Sequence, residues 1–542
     1  MADPTDEILD QLDPDAIEEF IKPPEALGHP KGLIYLFFAE MWERFSFYGM
    51  RALLTLYMVN ELYADLQDGE TKGLGIYAAY GALVYLTPLI GGIVADQLVG
   101  YRKSIMLGAF LMTLGHFTMA FEGEFWFFAA LGLLIVGNGF FKPNISSLVG
   151  ALYKQGDVRR DAGFTIFYLG INLGAFLAPL VCGWLGSKYG WHYGFGAAGI
   201  GMAIGMLVFW RGTQSGIFVD KGLQPERFQV KKFGGLNVNA LIWVGAFLLV
   251  PICAALVRFN DLSLMGGPLL SVLLYVVLAL VVAYMIYLIA TMPWEQGSKL
   301  LVIAFITILL TVFWSFFEQA GSSLTLFAER NVNLRILNAA QTNSINPGYI
   351  MLLAIPFASM WLALKNRGSN PRTPYKYALG MAQLGLGFLI FAFSARFADA
   401  SGKVPMFFLM LGWLTITTGE LFVSPIGLSK VTELAPKKLV AFFMGVFFLS
   451  SAFAHNIAGV IAKLTVVDSQ GDGPQEITGF WGSVIESVTG FAGGIATSGG
   501  ESFQTLAKYT GVFTQIAVIS FGVAIIALLC APIIKKWSRE IH

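Results

Sequence analysis

Long apolar runs broken by short polar segments occupy most of the chain. With about 20 apolar residues taken as one helical crossing of a bilayer, they predict helices near 32–62, 73–98, 103–121, 125–150, 162–185 and 191–212. Two more follow at 238–257 and 267–292, and six at 299–327, 346–364, 377–397, 404–430, 437–463 and 510–534. The pattern therefore predicts an all-α membrane protein of fourteen transmembrane helices, grouped six, two and six. The expected parts are a tail at 1–31, a first six-helix bundle at 32–212, a linker with two extra helices at 213–298, and a second bundle at 299–542. A Gly- and Ser-rich loop near 464–505 is expected to lie outside the membrane and to carry a short interfacial helix around Phe480, Trp481 and Val484. The two extra helices have no charge in their apolar centres and are expected at the periphery.

The first run departs from this pattern. It holds Glu40, Glu43, Arg44 and Arg51, and each charge at a helix centre costs about 2.5–3.5 kcal/mol unless it faces a bundle interior or a wet cavity. At about 100° per residue, Glu40, Glu43, Arg44, Phe47, Tyr48 and Arg51 share roughly 140° of helix circumference, with Leu53 and Leu56 off that face. One face of the first helix is wet and ionic. Glu40 and Glu43 beside Arg44 are candidate proton-coupling groups, because burial and mutual repulsion favour the protonated acid while Arg44 opposes it.

Few other ionisable residues lie deep in a span: Lys142, Glu318 and Glu420. Bases on the first half thus oppose acids on the second, and either Lys142 or Arg51 can pair with Glu318 as a gate between halves. Tyr48, Tyr85, Asn172, Trp314, Asn346 and Ser424 lie at similar depth and are candidate substrate-binding residues with Arg51, Lys142 and Glu420. Tyr80 reads as packing. Of the five histidines only His116 and His455 fall well inside spans, and neither has metal-ligand spacing. His455 reads as a satisfied bundle histidine.

Hydrophobic residues make up 56% and charged residues 13%, against about 25% charged in soluble domains. A net charge of zero gives no sign of a nucleic-acid partner. The acidic stretch at 1–22 lacks the basic start and apolar core of a signal peptide and reads as a cytoplasmic tail. Cys182, Cys253 and Cys530 all sit in apolar spans, so no disulfide framework is expected. Lys and Arg cluster in the loops on the side of the N-terminus, among them Arg102, Lys103, Arg159, Arg160, Lys231 and Lys232, which predicts both termini inside.

Several motifs now combine. Gly92 to Lys103 has the form G-x-x-x-D-x-x-x-G-x-R-K and resembles the loop signature of the major facilitator superfamily; Asp96 with Arg102 is expected as a conformational latch on the inner face. Glu40 to Tyr48, E-x-x-E-R-F-x-F-Y, resembles the first-helix signature of the proton-dependent oligopeptide transporter family. Phe167 to Gly174 resembles its F-Y-x-x-I-N-x-G motif, and Gly139 to Asn144 its fourth-helix lysine motif. Phe317-Glu318-Gln319 and Glu420 extend the likeness into the second half. Phe47 departs from the usual Tyr-Tyr pair and lacks one hydroxyl. The second helix has no histidine, whereas animal members resemble one another in having one there, so carboxylates are expected to carry the proton.

The resemblance implies a proton-coupled symporter importing di- and tripeptides by alternating access, with the major facilitator fold. The alternative is a symporter of the same superfamily for another small zwitterion or anion such as nitrate, which absence of the first-helix glutamates would favour. No cofactor is expected beyond the proton, and the partners are peptides, protons and lipid. The expected protein is a monomer of the bacterial inner membrane. An intramembrane enzyme would need a metal set, paired aspartates or a Ser/His pair at span depth, and a nucleotide-driven pump a phosphate loop; neither pattern occurs.

Overall fold

The computed structural model describes residues 24–538, apart from residues 155, 230–231, 234–235, 265–266, 437–438, 468–475 and 497–499. The side chains at 227, 229, 232–233, 236, 424–429, 432 and 440–441 also lie outside that description, as does the acidic stretch at 1–22. Among the described residues there are fourteen helices of at least 19 residues. These are α1 (Gly32–Tyr57), α2 (Gly69–Val94), α3 (Tyr101–Met119), α4 (Glu124–Ala151), α5 (Arg160–Tyr189), α6 (Trp191–Gln214), α7 (Val238–Arg258), α8 (Leu269–Thr291), α9 (Trp294–Phe317), α10 (Ile345–Asn366), α11 (Thr373–Phe393), α12 (Met406–Leu434), α13 (Val440–Lys463) and α14 (Gly500–Ser538).

Twelve helical segments are long and apolar enough to cross a membrane. α1 falls short because of its four charges, and α3 because it opens on Arg102, Lys103 and Ser104 and turns polar again at Thr113, His116 and Thr118. Both are nonetheless enclosed: α1 packs on α5 and α6, α3 on α4 and α6. α14 begins at Gly500, ten residues before the predicted start. Leu506, Ala507 and Tyr509 are buried there, and Ser502 accepts a hydrogen bond from Asn331 at its carbonyl (2.8 Å). Tertiary contacts therefore make helix from a stretch too polar to read as one.

Among the described residues the long helices of the two halves meet where α2 packs against α13 and α5 against α10. α9 is interrupted at a 3-10 turn, Glu318–Gly321, and resumes as Ser323–Asn331. On the side away from the chain ends this continuation and the start of α10 are tied to the first half. Thr55 donates to the Gly321 carbonyl (2.6 Å), Asn60 to Glu329 (2.7 Å), Arg330 to Glu70 (2.8 Å), and Gln341 to the Leu180 carbonyl (3.0 Å). Asn338 adds bonds to the Gly183 carbonyl and Ser187, both at 2.9 Å. That side of the molecule is closed.

The two extra helices divide their allegiance: α7 lies on α2 and α4, α8 on α9 and α13. Their apolar side chains are widely exposed, among them Leu248, Ile252, Leu280 and Ile286, as expected of surfaces meeting lipid. In the loop before α14 a short helix, Gly479–Thr489, packs against α11 and α14. Arg396 donates to the carbonyls at its C-terminus, Glu486, Ser487 and Val488.

Candidate functional site

A cavity of about 360 Å³ lies between the halves. α1 supplies Glu40, Arg44, Tyr48 and Arg51, α2 Tyr85, α4 Lys142, and α5 Tyr168 and Asn172. α9 with its 3-10 turn contributes Trp314 and Glu318, α10 Asn346, and α12 Trp413 and Glu420. Eleven of the predicted site residues therefore share one cavity. Neither extra helix lines it.

The α1 cluster is local. Arg44 Nε lies 3.1 Å from Glu40 and also bonds Glu43. Glu43 sits behind the wall, fully buried, and the second oxygens of both acids have no hydrogen-bond partner among the described residues. Phe47 packs its ring against Arg44, 5.5 Å from the guanidinium carbon. One base serves two acids, which leaves a buried negative charge that a proton can remove.

The second network crosses the halves. Arg51 on α1 bonds Glu318 on the 3-10 turn, and its Nε donates to the Tyr77 hydroxyl (2.7 Å). The turn is what permits this approach: a Cβ at Gly321 would come within 1.9 Å of the Tyr77 oxygen and 3.0 Å of Arg51 Nε. Lys142 is not the partner of Glu318. Its ammonium lies over the Tyr85 ring, 4.0 Å from the centroid, with no ion pair among the described residues. Of the two possible bases, Arg51 closes the bridge because α1 runs beside the α9 turn.

On the opposite wall Asn346 donates to Glu420 (2.9 Å) and Thr417 (3.0 Å). Asn172 is turned to its own helix, donating to the Tyr168 carbonyl (3.0 Å) rather than to Glu420. Ser424 lies one turn beyond Glu420, and its side chain is outside the description. In the cavity and behind it, four acids (Glu40, Glu43, Glu318, Glu420) meet three bases (Arg44, Arg51, Lys142). One bound proton brings this set to neutrality, a strong preference in a low-dielectric interior.

Asp96 is exposed near the opening of α3 and makes no ion pair among the described residues. Arg102 turns instead to the linker after α6, donating to the carbonyls of Lys221 (2.5 Å) and Val219 (2.7 Å). Four participants went unassigned in the sequence reading: Tyr77, Tyr168, Trp413 and His455. Tyr168 precedes Asn172 by one turn and Tyr77 precedes Tyr85 by about two, so helical spacing held the signal for both. Trp413 had none, and His455 was visible only as a histidine inside a span, since packing alone brings both to the site.

Two bundles enclosing one central charged cavity, closed at one side, define a transporter of the major facilitator type. The sequence model of the POT family matches residues 102–477. The chain belongs to that family. It is 36% identical to the peptide transporter YePEPT of Yersinia enterocolitica over 80% of this chain and 88% of that one. It is 30% identical to the dipeptide and tripeptide permease B of Salmonella typhimurium over 95% and 97%. The crystal structure of the peptide transporter POT in complex with sulfate superposes with a TM-score of 0.76 at 32% identity, covering 97% of this chain and 99% of that one.

Proposed function

We propose that this protein is a proton-coupled symporter that imports di- and tripeptides by alternating access. The observation that carries the reading is the polarity of the cavity. Arg51 and Lys142 on the first half can take a peptide carboxylate, while Glu420, oriented by Asn346, can take the ammonium. A zwitterion then spans both halves, and the aromatic walls at Tyr48, Tyr85, Tyr168 and Trp413 accept varied side chains.

The Arg51–Glu318 bridge is the gate in this reading. Protonation of Glu318, or capture of Arg51 by a carboxylate, opens it, so peptide and proton affinities are linked reciprocally. The protein sits in the bacterial inner membrane, and the Lys and Arg asymmetry of its loops puts both ends in the cytoplasm. The closed side then faces out. The protein acts as a monomer, with the proton as coupling ion and no bound cofactor.

Uptake of a labelled dipeptide into liposomes under an imposed proton gradient tests the reading, with nitrate and single amino acids as competitors. Accumulation that unlabelled dipeptide blocks and nitrate does not is the expected result. Competition by nitrate alone would move the assignment to an anion symporter.

A further inference from the structure

His455 on α13 is buried beside the gate rather than in the cavity wall. Its Nδ1 lies 3.0 Å from the Ser451 carbonyl oxygen. A carbonyl only accepts, so Nδ1 carries the hydrogen, and the lone pair of a neutral ring sits on Nε2. That atom is 3.4 Å from Glu318 Oε2, the same oxygen that Arg51 bonds. With the ring neutral and the acid ionised, two lone pairs confront each other in a buried site. A proton on either atom turns that repulsion into a hydrogen bond.

The ring is held there from two directions. It lies against Tyr85 with centroids 4.8 Å apart. On α2 a Cβ at Gly81 would come within 2.1 Å of its Cδ2, so no larger residue fits while the ring keeps this place. The groups that face His455 are Glu318 from α9 and Tyr85 from α2. Next in line stand Arg51 on α1, through Glu318, and Lys142 on α4, over the same Tyr85 ring.

We propose that His455 is a second proton-binding residue of the transport cycle, sharing one proton with Glu318 across the gate. While Arg51 bonds Glu318, the proton rests on Nε2 and the carboxylate lies between two cations. When a peptide carboxylate draws Arg51 away, the Nε2–H bond breaks and an Oε2–H bond forms, leaving a neutral imidazole that accepts from a neutral acid. No other reactant is needed. Opening of the gate and the place of the proton thereby become one event. This deepens the transport reading and rests on it.

Three proteins decide it: wild type, His455→Gln, and Gly81→Ala, whose methyl displaces the His455 ring from Glu318 while keeping the histidine in the chain. Each is reconstituted in liposomes, and gradient-driven dipeptide accumulation is followed as a function of pH beside dipeptide exchange between equally loaded compartments. His455→Gln is expected to lose accumulation about tenfold, the equivalent of one pK unit in the affinity of the site, with a smaller loss of exchange. Its pH profile should move toward acid, because Glu318 has lost the partner that helps hold the proton, and Gly81→Ala should move the same way. A pH profile that stays at the wild-type position in His455→Gln overturns the proposal, whatever the rate. Wild-type protein that exchanges dipeptide yet never concentrates it under a gradient removes the symport reading and the proposal with it.

Discussion

The two ion networks of the cavity have similar parts and different reach. Glu40, Glu43 and Arg44 occupy one turn of one helix, so their distances survive any movement of one half against the other. Arg51, Glu318 and His455 come from three helices, one in the first half and two in the second, and they are together only in this arrangement. A local cluster can set how tightly a proton is held. Only a crossing one can register which way the cavity opens, because its geometry is itself the conformational variable.

The largest effect is expected from breaking the crossing network on one side. Glu318→Ala leaves Arg51 buried without its anion, at a cost of roughly 3–5 kcal/mol for a fully buried pair, and should abolish gradient-driven uptake. Arg51→Ala should do the same, and the double variant should recover part of the lost thermal stability, since no charge is then left unpaired. Additive losses in the double variant would show that the two side chains do not act on each other.

Neutralising the local network should divide the two transport modes. Glu40→Gln and Glu43→Gln mimic the protonated cluster, so accumulation of dipeptide under a gradient should disappear while exchange between equally loaded compartments persists. Arg44→Ala, which leaves two buried acids without a base, should damage both modes. If the two glutamine variants, singly and together, still concentrate dipeptide, the cluster is a structural ion network.

Smaller and more selective effects are expected at the substrate ends. Glu420→Gln should weaken dipeptides with a free amino terminus more than N-acetylated ones in competition assays, by about the 1.5–3 kcal/mol of a charged hydrogen bond. Lys142→Ala should weaken peptides with a free carboxylate more than their amides and leave the Arg51–Glu318 bridge intact. Equal losses for each pair of ligands would remove these roles.

The smallest effect lies outside both networks. Arg159 forks between Asp157, Glu25 and the Gly28 carbonyl, docking the Glu25–Pro30 hairpin on the α4–α5 loop. Hydrogen bonds from Arg159 hold the Asp157 carboxyl below the usual carboxylate range. A depressed acid contributes stability above its unfolded pKa and loses it as pH falls through the folded value. Amide exchange of residues 24–31 should therefore stay slow at neutral pH and quicken only below about pH 4. Arg159→Ala should quicken it at every pH with little change in uptake.

The arrangement of apolar runs determined the helices, because a span needs a certain length of apolar chain wherever it ends up. It also determined the ionic face of α1, since Glu40, Glu43, Arg44, Tyr48 and Arg51 are joined by the 3.6-residue period of a single helix. Partner choice was decided elsewhere. Arg51 and Lys142 were equal candidates for Glu318 by charge and depth, and only the packing of α1 against the α9 turn, opened by Gly321, gave the bridge to Arg51. Asn172 satisfied itself on its own helix and left Glu420 to Asn346. Arg102 took the linker carbonyls that the fold laid beside it. His455 read as a packed histidine because its neighbours, Glu318 at 3.4 Å and Gly81, lie on other helices more than a hundred residues away. Spacing along the chain records contacts within a helix; contacts between helices depend on how surfaces fit, and that belongs to the tertiary structure alone.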